Sequence, residues 1–152
     1  MTKTTYKSGS NSVTVQWKGL DNLDTALESL PVRVQRGALK GLEAIGVLVK
    51  NAAQRLILKG AKSGKIYKRR TIVHQASAPG QPPASDTGTL VRSLVHDLDK
   101  QNLDVEVSAS TKYAKWLEFG TKKMAARPFL SVALNNNKRK MKVVITKFVK
   151  NE

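Results

Sequence analysis

The side chains able to do chemistry are few, and they lie apart. His74 and His96 are the two histidines of the chain, and neither has an acidic cluster or a second ligand at metal-binding spacing. Both read as surface residues. Gly60-Ala61-Lys62-Ser63-Gly64-Lys65 superficially resembles a phosphate-binding loop, but its spacing is wrong and it follows a helical pattern instead of a strand. Carboxylates cluster at Asp97, Asp99, Asp104 and Glu106. Strand alternation puts Asp104 and Glu106 on one solvent face, and no acid–base pair follows from that arrangement. A nucleophile elbow and a dinucleotide fingerprint are both missing. With no cysteine, disulfides and thiolate metal sites are excluded, which fits assembly in a reducing cytoplasm. These features point away from catalysis, from a cofactor and from a resident metal.

Charge is the second chemical resource. The formal net charge is +16, with basic residues concentrated at 62–70, 122–127 and 138–150. Such a charge attracts polyanions. Lys62, Lys65, Lys68, Arg69 and Arg70, with Lys138, Arg139 and Lys140, are the candidate phosphate contacts. Single-strand binders interleave stacking aromatics with such charge, and here only Tyr67 and Phe148 do so. No pair of helices has helix-turn-helix spacing. Sequence-independent contact with DNA phosphates is therefore one reading, and a basic surface that offsets acidic neighbours in an assembly is the other.

The elements that must carry these residues follow from periodicity. A chain of 152 residues with 40% hydrophobic and 5% aromatic content suits one domain with an aliphatic core, anchored by Trp17, Trp116, Phe119, Phe129 and Phe148. Residues 1–12 read as a polar, flexible start and 13–152 as the domain. No signal-type h-region or run of ~18 apolar residues is seen, so a soluble, cytosolic chain is expected. Val13, Val15 and Trp17 alternate as in a strand, and Asp21–Leu30 suits a short helical turn.

From Val32 to Lys59, Leu39, Leu42, Ile45, Val49, Ala52 and Leu56 form one stripe of a helix, roughly 40 Å long, with Pro31 at its start and Gly60 at its stop. Gly37, Gly41 and Gly46 inside it read either as local tolerance in a well-packed helix or as close approach of another backbone along that flank. Residues 61–85 have no sustained period and end in a Pro-rich stretch, expected to be a long projecting extended loop. Asp86 suits the N-cap of a helix carrying Leu90, Leu94, Val95 and Leu98. Leu103, Val105 and Val107 alternate as a second strand, Thr111–Phe119 reads as a short helix ended by Gly120, and Pro128 opens a C-terminal helix with the stripe Leu130, Leu134, Met141, Ile145 and Phe148. The fold class is α+β: a small antiparallel or mixed sheet, open to completion by Thr71-Ile72-Val73-His74 or to continuation across subunits, packed on one long and several shorter helices.

Two segments carry a resemblance. Tyr113-Ala114-Lys115-Trp116-Leu117-Glu118-Phe119-Gly120-Thr121 precedes Met124-Ala125-Ala126-Arg127-Pro128-Phe129-Leu130, and upstream His74-Gln75-Ala76-Ser77-Ala78-Pro79-Gly80-Gln81-Pro82-Pro83 runs into Asp86-Thr87-Gly88-Thr89-Leu90. In this order they resemble the siphophage tail-component family typified by gene product ten of coliphage HK ninety-seven. The resemblance implies a structural, non-enzymatic virion subunit without a cofactor. It further implies a homo-oligomeric ring at the neck or upper tail that joins head to tail and meets connector, tail-terminator or tail-tube proteins after assembly in the host cytoplasm.

In the residues themselves, Gly120 is expected to take a left-handed conformation, and Tyr113, Trp116 and Phe119 to dock one edge of their helix on the core. Glu118 is expected either to pair with Lys115, Lys122, Lys123 or Arg127 or to stand in solvent. Arg127-Pro128-Phe129 leads into the last helix. The loop residues Ser77, Pro79, Gly80, Pro82, Pro83, Asp86 and Gly88 are the candidate subunit contacts.

Overall fold

Helix α1 (Val32–Lys59) organises the molecule, and its bounds match the spacing of its apolar residues. The computed structural model describes residues 3–8, 13–18 and 31–150, with side chains described over 31–150. The expected helical turn at Asp21–Leu30 and the Trp17 anchor's packing lie outside the described residues. Pro31 stands just before α1, and its carbonyl accepts from the N–H groups of Val34 and Gln35. Gly60 ends the helix at φ −56 and ψ 145, so the chain leaves extended.

Four antiparallel strands form the main sheet: β1 (Lys3–Ser8), β2 (Val13–Lys18), β5 (Leu94–Asp99) and β6 (Asp104–Ala109), in the order β1-β2-β6-β5. A separate hairpin pairs β3 (Ile66–Arg69) with β4 (Ile72–Gln75). Short helices α2 (Thr89–Arg92) and α3 (Ala114–Phe119) precede the C-terminal helix α4 (Leu130–Lys150). The α+β class is as expected, and among the described residues the pairing is antiparallel throughout.

Within the polar start, Lys3–Ser8 pairs along β2 as an edge strand. Two expectations are corrected. The helix expected from Asp86 stops after four residues, because Leu94, His96 and Leu98 alternate with exposed Val95, Asp97 and Asp99 and pair with β6. A run whose apolar residues fit both periods is settled by its partner, and β6 supplies one. The loop at 61–85 is half regular: Ile66–Gln75 forms its own hairpin and does not complete the main sheet.

One side of α1 packs on β5 and β6, and another packs on α4. Leu42, Ile45, Val49, Ala53 and Ile57 join Leu94, Val105, Val107, Phe129, Leu130, Leu134 and Met141 in the core. The buried stripe is turned slightly from the expected one, so that Leu39, Ala52 and Leu56 are only partly covered. At two of the helix glycines the close neighbours are chiefly side chains rather than another backbone. A Cβ on Gly41 would fall 2.6 Å from the Ile145 Cδ1 atom, and one on Gly46 would fall 2.7 Å from Val105 Cγ2. Such positions admit only glycine without repacking.

Candidate functional site

At the start of α4 the first four N–H groups have no intrahelical partner. Glu118, from α3, supplies one carboxylate for three of the donors there. Its Oε2 accepts from the N–H groups of Phe129 (2.9 Å) and Leu130 (3.0 Å), and its Oε1 accepts from Ser131 (2.9 Å). Glu118 is 4% exposed. Sequence reasoning offered a lysine, an arginine or solvent as its partner. The backbone answers instead, because oriented N–H groups and the helix dipole favour a buried anion at that end.

Between α3 and α4 the chain reverses at Gly120, whose φ of 76 and ψ of −176 lie in a region essentially reserved for glycine. A Cβ there would also fall 2.8 Å from both the Met124 carbonyl oxygen and the Ala126 nitrogen. Thr121 and Met124 close the turn by donating to each other's carbonyls. Arg127 N–H then donates to the Leu117 carbonyl at 2.6 Å, and Pro128 leads to Phe129, which is fully buried. Pro128 therefore lies before the helix, which begins at Leu130.

The expected docking edge of α3 is reversed. Ala114 and Glu118 are buried and Leu117 packs on the core, while Tyr113, Trp116 and Phe119 are 38%, 49% and 48% exposed. The i, i+4 pair of small and capping residues won the inward face, which leaves an aromatic strip outside.

The second motif block lies against the first. Gly80 N–H donates to the Ala126 carbonyl at 2.9 Å, and Ser85 N–H donates to the Ile57 carbonyl at 3.1 Å. Ser77 is fully buried and Pro83 is buried, while Pro79 is exposed and Pro82 half-buried. The stretch is thus laid along the body, although its residues make no regular element. Asp86 is no helix cap. Its carboxylate meets the Arg69 guanidinium at 3.1 Å and His74 at 3.8 Å, and Gly88, at φ 76, precedes α2. Both blocks line a cleft of about 340 Å³ whose walls include Arg69, His74, Asp86, Tyr113, Leu117 and Arg127. His96 is apart from it, on β5, with Nε2 2.8 Å from Glu43 Oε1 and only 17% of its side chain exposed. Neither histidine is the free surface residue expected. Among the described residues no group of His, Asp or Glu could hold a metal ion.

Arg69 and His74 bring the β3–β4 hairpin to the wall of this cleft. Every residue of β3 is exposed, and Ile66, Tyr67, Ile72 and Val73 are 60%, 48%, 63% and 64% exposed. Sequence reasoning placed this stretch within the projecting segment at 61–85 but missed the hairpin. Two four-residue runs rich in β-branched or aromatic side chains flank Arg70-Thr71, a signal hidden by the lack of glycine or asparagine in the turn. Arg70 takes φ 49 to close it. Lys62, Lys65, Lys68 and Arg70 are exposed around the hairpin, and Lys138, Arg139 and Lys140 are exposed on α4. The two basic groups belong to different elements.

A family profile described as "Bacteriophage HK97-gp10, putative tail-component" matches residues 21–120. That span includes the whole arm and α3 but stops before Arg127-Pro128-Phe129. No curated protein and no solved structure matches the chain.

Proposed function

Because the chain belongs to the bacteriophage HK97-gp10-like tail-component family, we propose that it is a structural virion subunit that forms a ring at the neck or top of the tail and joins the head to the tail. The observation that carries this reading is what the motif residues do. Glu118, Gly120, Gly80 and Phe129 bind one segment of the chain to another, which is scaffold work. Around them the surface carries exposed apolar groups: the aromatic strip Tyr113, Trp116 and Phe119, and the hairpin residues Ile66, Tyr67, Ile72 and Val73. Exposed apolar groups gathered on one short helix and one hairpin suit contact with another protein. The subunit acts by contact and not by catalysis, with neighbouring neck and tail proteins as its partners.

Particles made without this protein are expected to accumulate as DNA-filled heads and separate tails, visible by electron microscopy. A cryo-electron-microscopy map of complete virions should place the subunit as a ring between them. Joined, infectious particles in its absence would reject the reading.

A second reading has its own support. Lys138, Arg139 and Lys140 are exposed on α4, Lys62, Lys65, Lys68 and Arg70 are exposed near the hairpin, and the net charge is +16. Non-specific contact with DNA phosphates would use these groups, and a ring beside the genome's exit path would bring them near DNA.

A further inference from the structure

The β3–β4 hairpin carries apolar side chains on both of its faces. Direct pairing of Lys68 with Val73, and of Arg69 with Ile72, puts Ile66, Lys68 and Val73 on one face and Tyr67, Arg69 and Ile72 on the other. All six are exposed. A lone two-stranded hairpin is marginal in water. Its outer backbone edges pair with no further strand among the described residues.

A second unpaired edge lies on the main sheet: among the described residues β5 is last in the order β1-β2-β6-β5, and no strand pairs with its other side. Its outward face presents exposed Val95, Asp97 and Asp99. On β6, Glu106 stands opposite Asp97, and Asp104 stands opposite Asp99. Four of the chain's 11 carboxylates therefore share one face of two strands, in a molecule of net charge +16. The hairpin face reads apolar then basic, at Ile66 and Lys68, with Arg70 at the tip. The β5 face reads apolar then acidic.

We propose that the β3–β4 hairpin of one copy adds to the free β5 edge of the next copy, which continues the sheet across the subunit boundary and sets the basic hairpin against the acidic β5–β6 face. Strand addition supplies main-chain hydrogen bonds, and the facing side chains supply selectivity. The contact is heterologous: hairpin to sheet edge, never hairpin to hairpin. Repeated around an axis, it closes a ring. This interface rests on the ring reading above and identifies the surfaces that build it.

The test is a charge swap in the full chain. Lys68→Glu with Arg70→Glu reverses the hairpin, and Val95→Lys with Asp97→Lys reverses β5. Arg69 and Asp99 are left alone because they serve Asp86 and the β5–β6 turn. In analytical ultracentrifugation each variant alone should self-associate at least roughly tenfold more weakly than the unchanged chain. An equimolar mixture should associate again, since every contact in an alternating ring is then complementary.

A second arm needs no charge change. Ile66→Cys with Val95→Cys, in a chain otherwise free of cysteine, should give a ladder of oxidised oligomers. Unchanged association in both reversed variants, or a mixture that fails to recover together with no ladder, overturns the interface. So does loss of duplex-DNA binding by the Lys68→Glu, Arg70→Glu chain with self-association intact, which would assign the hairpin to DNA. Rings that form in virions from either reversed variant alone would overturn this interface and leave the ring reading standing. A virion holding the subunit as a single copy would overturn that reading as well.

Discussion

At Glu118 one carboxylate answers three backbone donors, at distances of 2.9, 3.0 and 2.9 Å. Removing it leaves those N–H groups buried at a helix start, and hydrogen bonds to a charged group each contribute about 1.5–3 kcal/mol. Glu118→Ala should therefore lower unfolding free energy by about 3 kcal/mol or more in urea titration. Glu118→Gln keeps one acceptor oxygen and turns an NH₂ donor toward the other N–H groups, so its loss should be smaller but still measurable. An Ala variant as stable as the parent would show that the cap is dispensable. Gly120 makes a separate claim. Its φ of 76 with ψ of −176 and the 2.8 Å approach of Met124 and Ala126 forbid a side chain. Gly120→Ala should cost about 2 kcal/mol, within the range for strained backbone sites, with the same helix content by circular dichroism after refolding.

The elements differ in how firmly they are held. α1 and α4 share the core, whereas all of β3 is exposed. Hydrogen exchange follows local stability, so amides of 66–75 should exchange far sooner than those of 42–57 in the free subunit and gain protection on assembly. Equal protection in both states would reject a role for the hairpin in contact. The stretch after the hairpin is a different matter. Ser77 and Pro83 are buried and Ser85 is bonded to Ile57, so deletion of 75–85 should unfold the body as well as remove contacts. Surface substitutions on the hairpin are the cleaner probe.

The β5–β6 turn has its own dependence on pH. Hydrogen bonds hold the Asp99 carboxyl below its ordinary range, chiefly from the Asn102 side chain, then from the N–H groups of Asn102 and Gln101. A lowered carboxyl pKa contributes stability that is present above the unfolded value and lost as pH falls through the folded one. Amide exchange at 100–103, corrected for its intrinsic pH dependence, should therefore accelerate only in acid below the usual carboxylate range. No change across that range would disprove the turn's dependence on the charge.

For the whole molecule, the +16 charge is distributed over separate elements while the carboxylates of β5 and β6 gather on one face. The proposed contact between copies and the alternative contact with DNA would therefore use partly different residues. Duplex DNA binding should be independent of sequence and steeply sensitive to salt. Reversing Lys138, Arg139 and Lys140 together should reduce the log–log salt slope by roughly two to three if each meets a phosphate, as measured by fluorescence anisotropy. An unchanged slope would remove α4 from any DNA path.

Periodicity indicated α1, β6 and the stripe of α4, because each has one face that must be buried, and Gly120 marked a stop. In the second half of α4 the β-branched run Val143-Val144-Ile145-Thr146 suited a strand as well, and packing on α1 made it helix. The paired motif blocks likewise identified the family. Tertiary structure decided the rest. Leu94–Asp99 became a strand because β6 offered a ladder, and α3 turned its aromatics outward because Ala114 and Glu118 took the inward face. The hairpin emerged from a stretch whose turn lacks the usual residues. Glu118 found its partners 11–13 residues away in the chain, on backbone atoms. Local spacing reports which side chains avoid water. Which donor meets which carboxylate depends on where two helices end in space, and no single stretch of sequence contains that information.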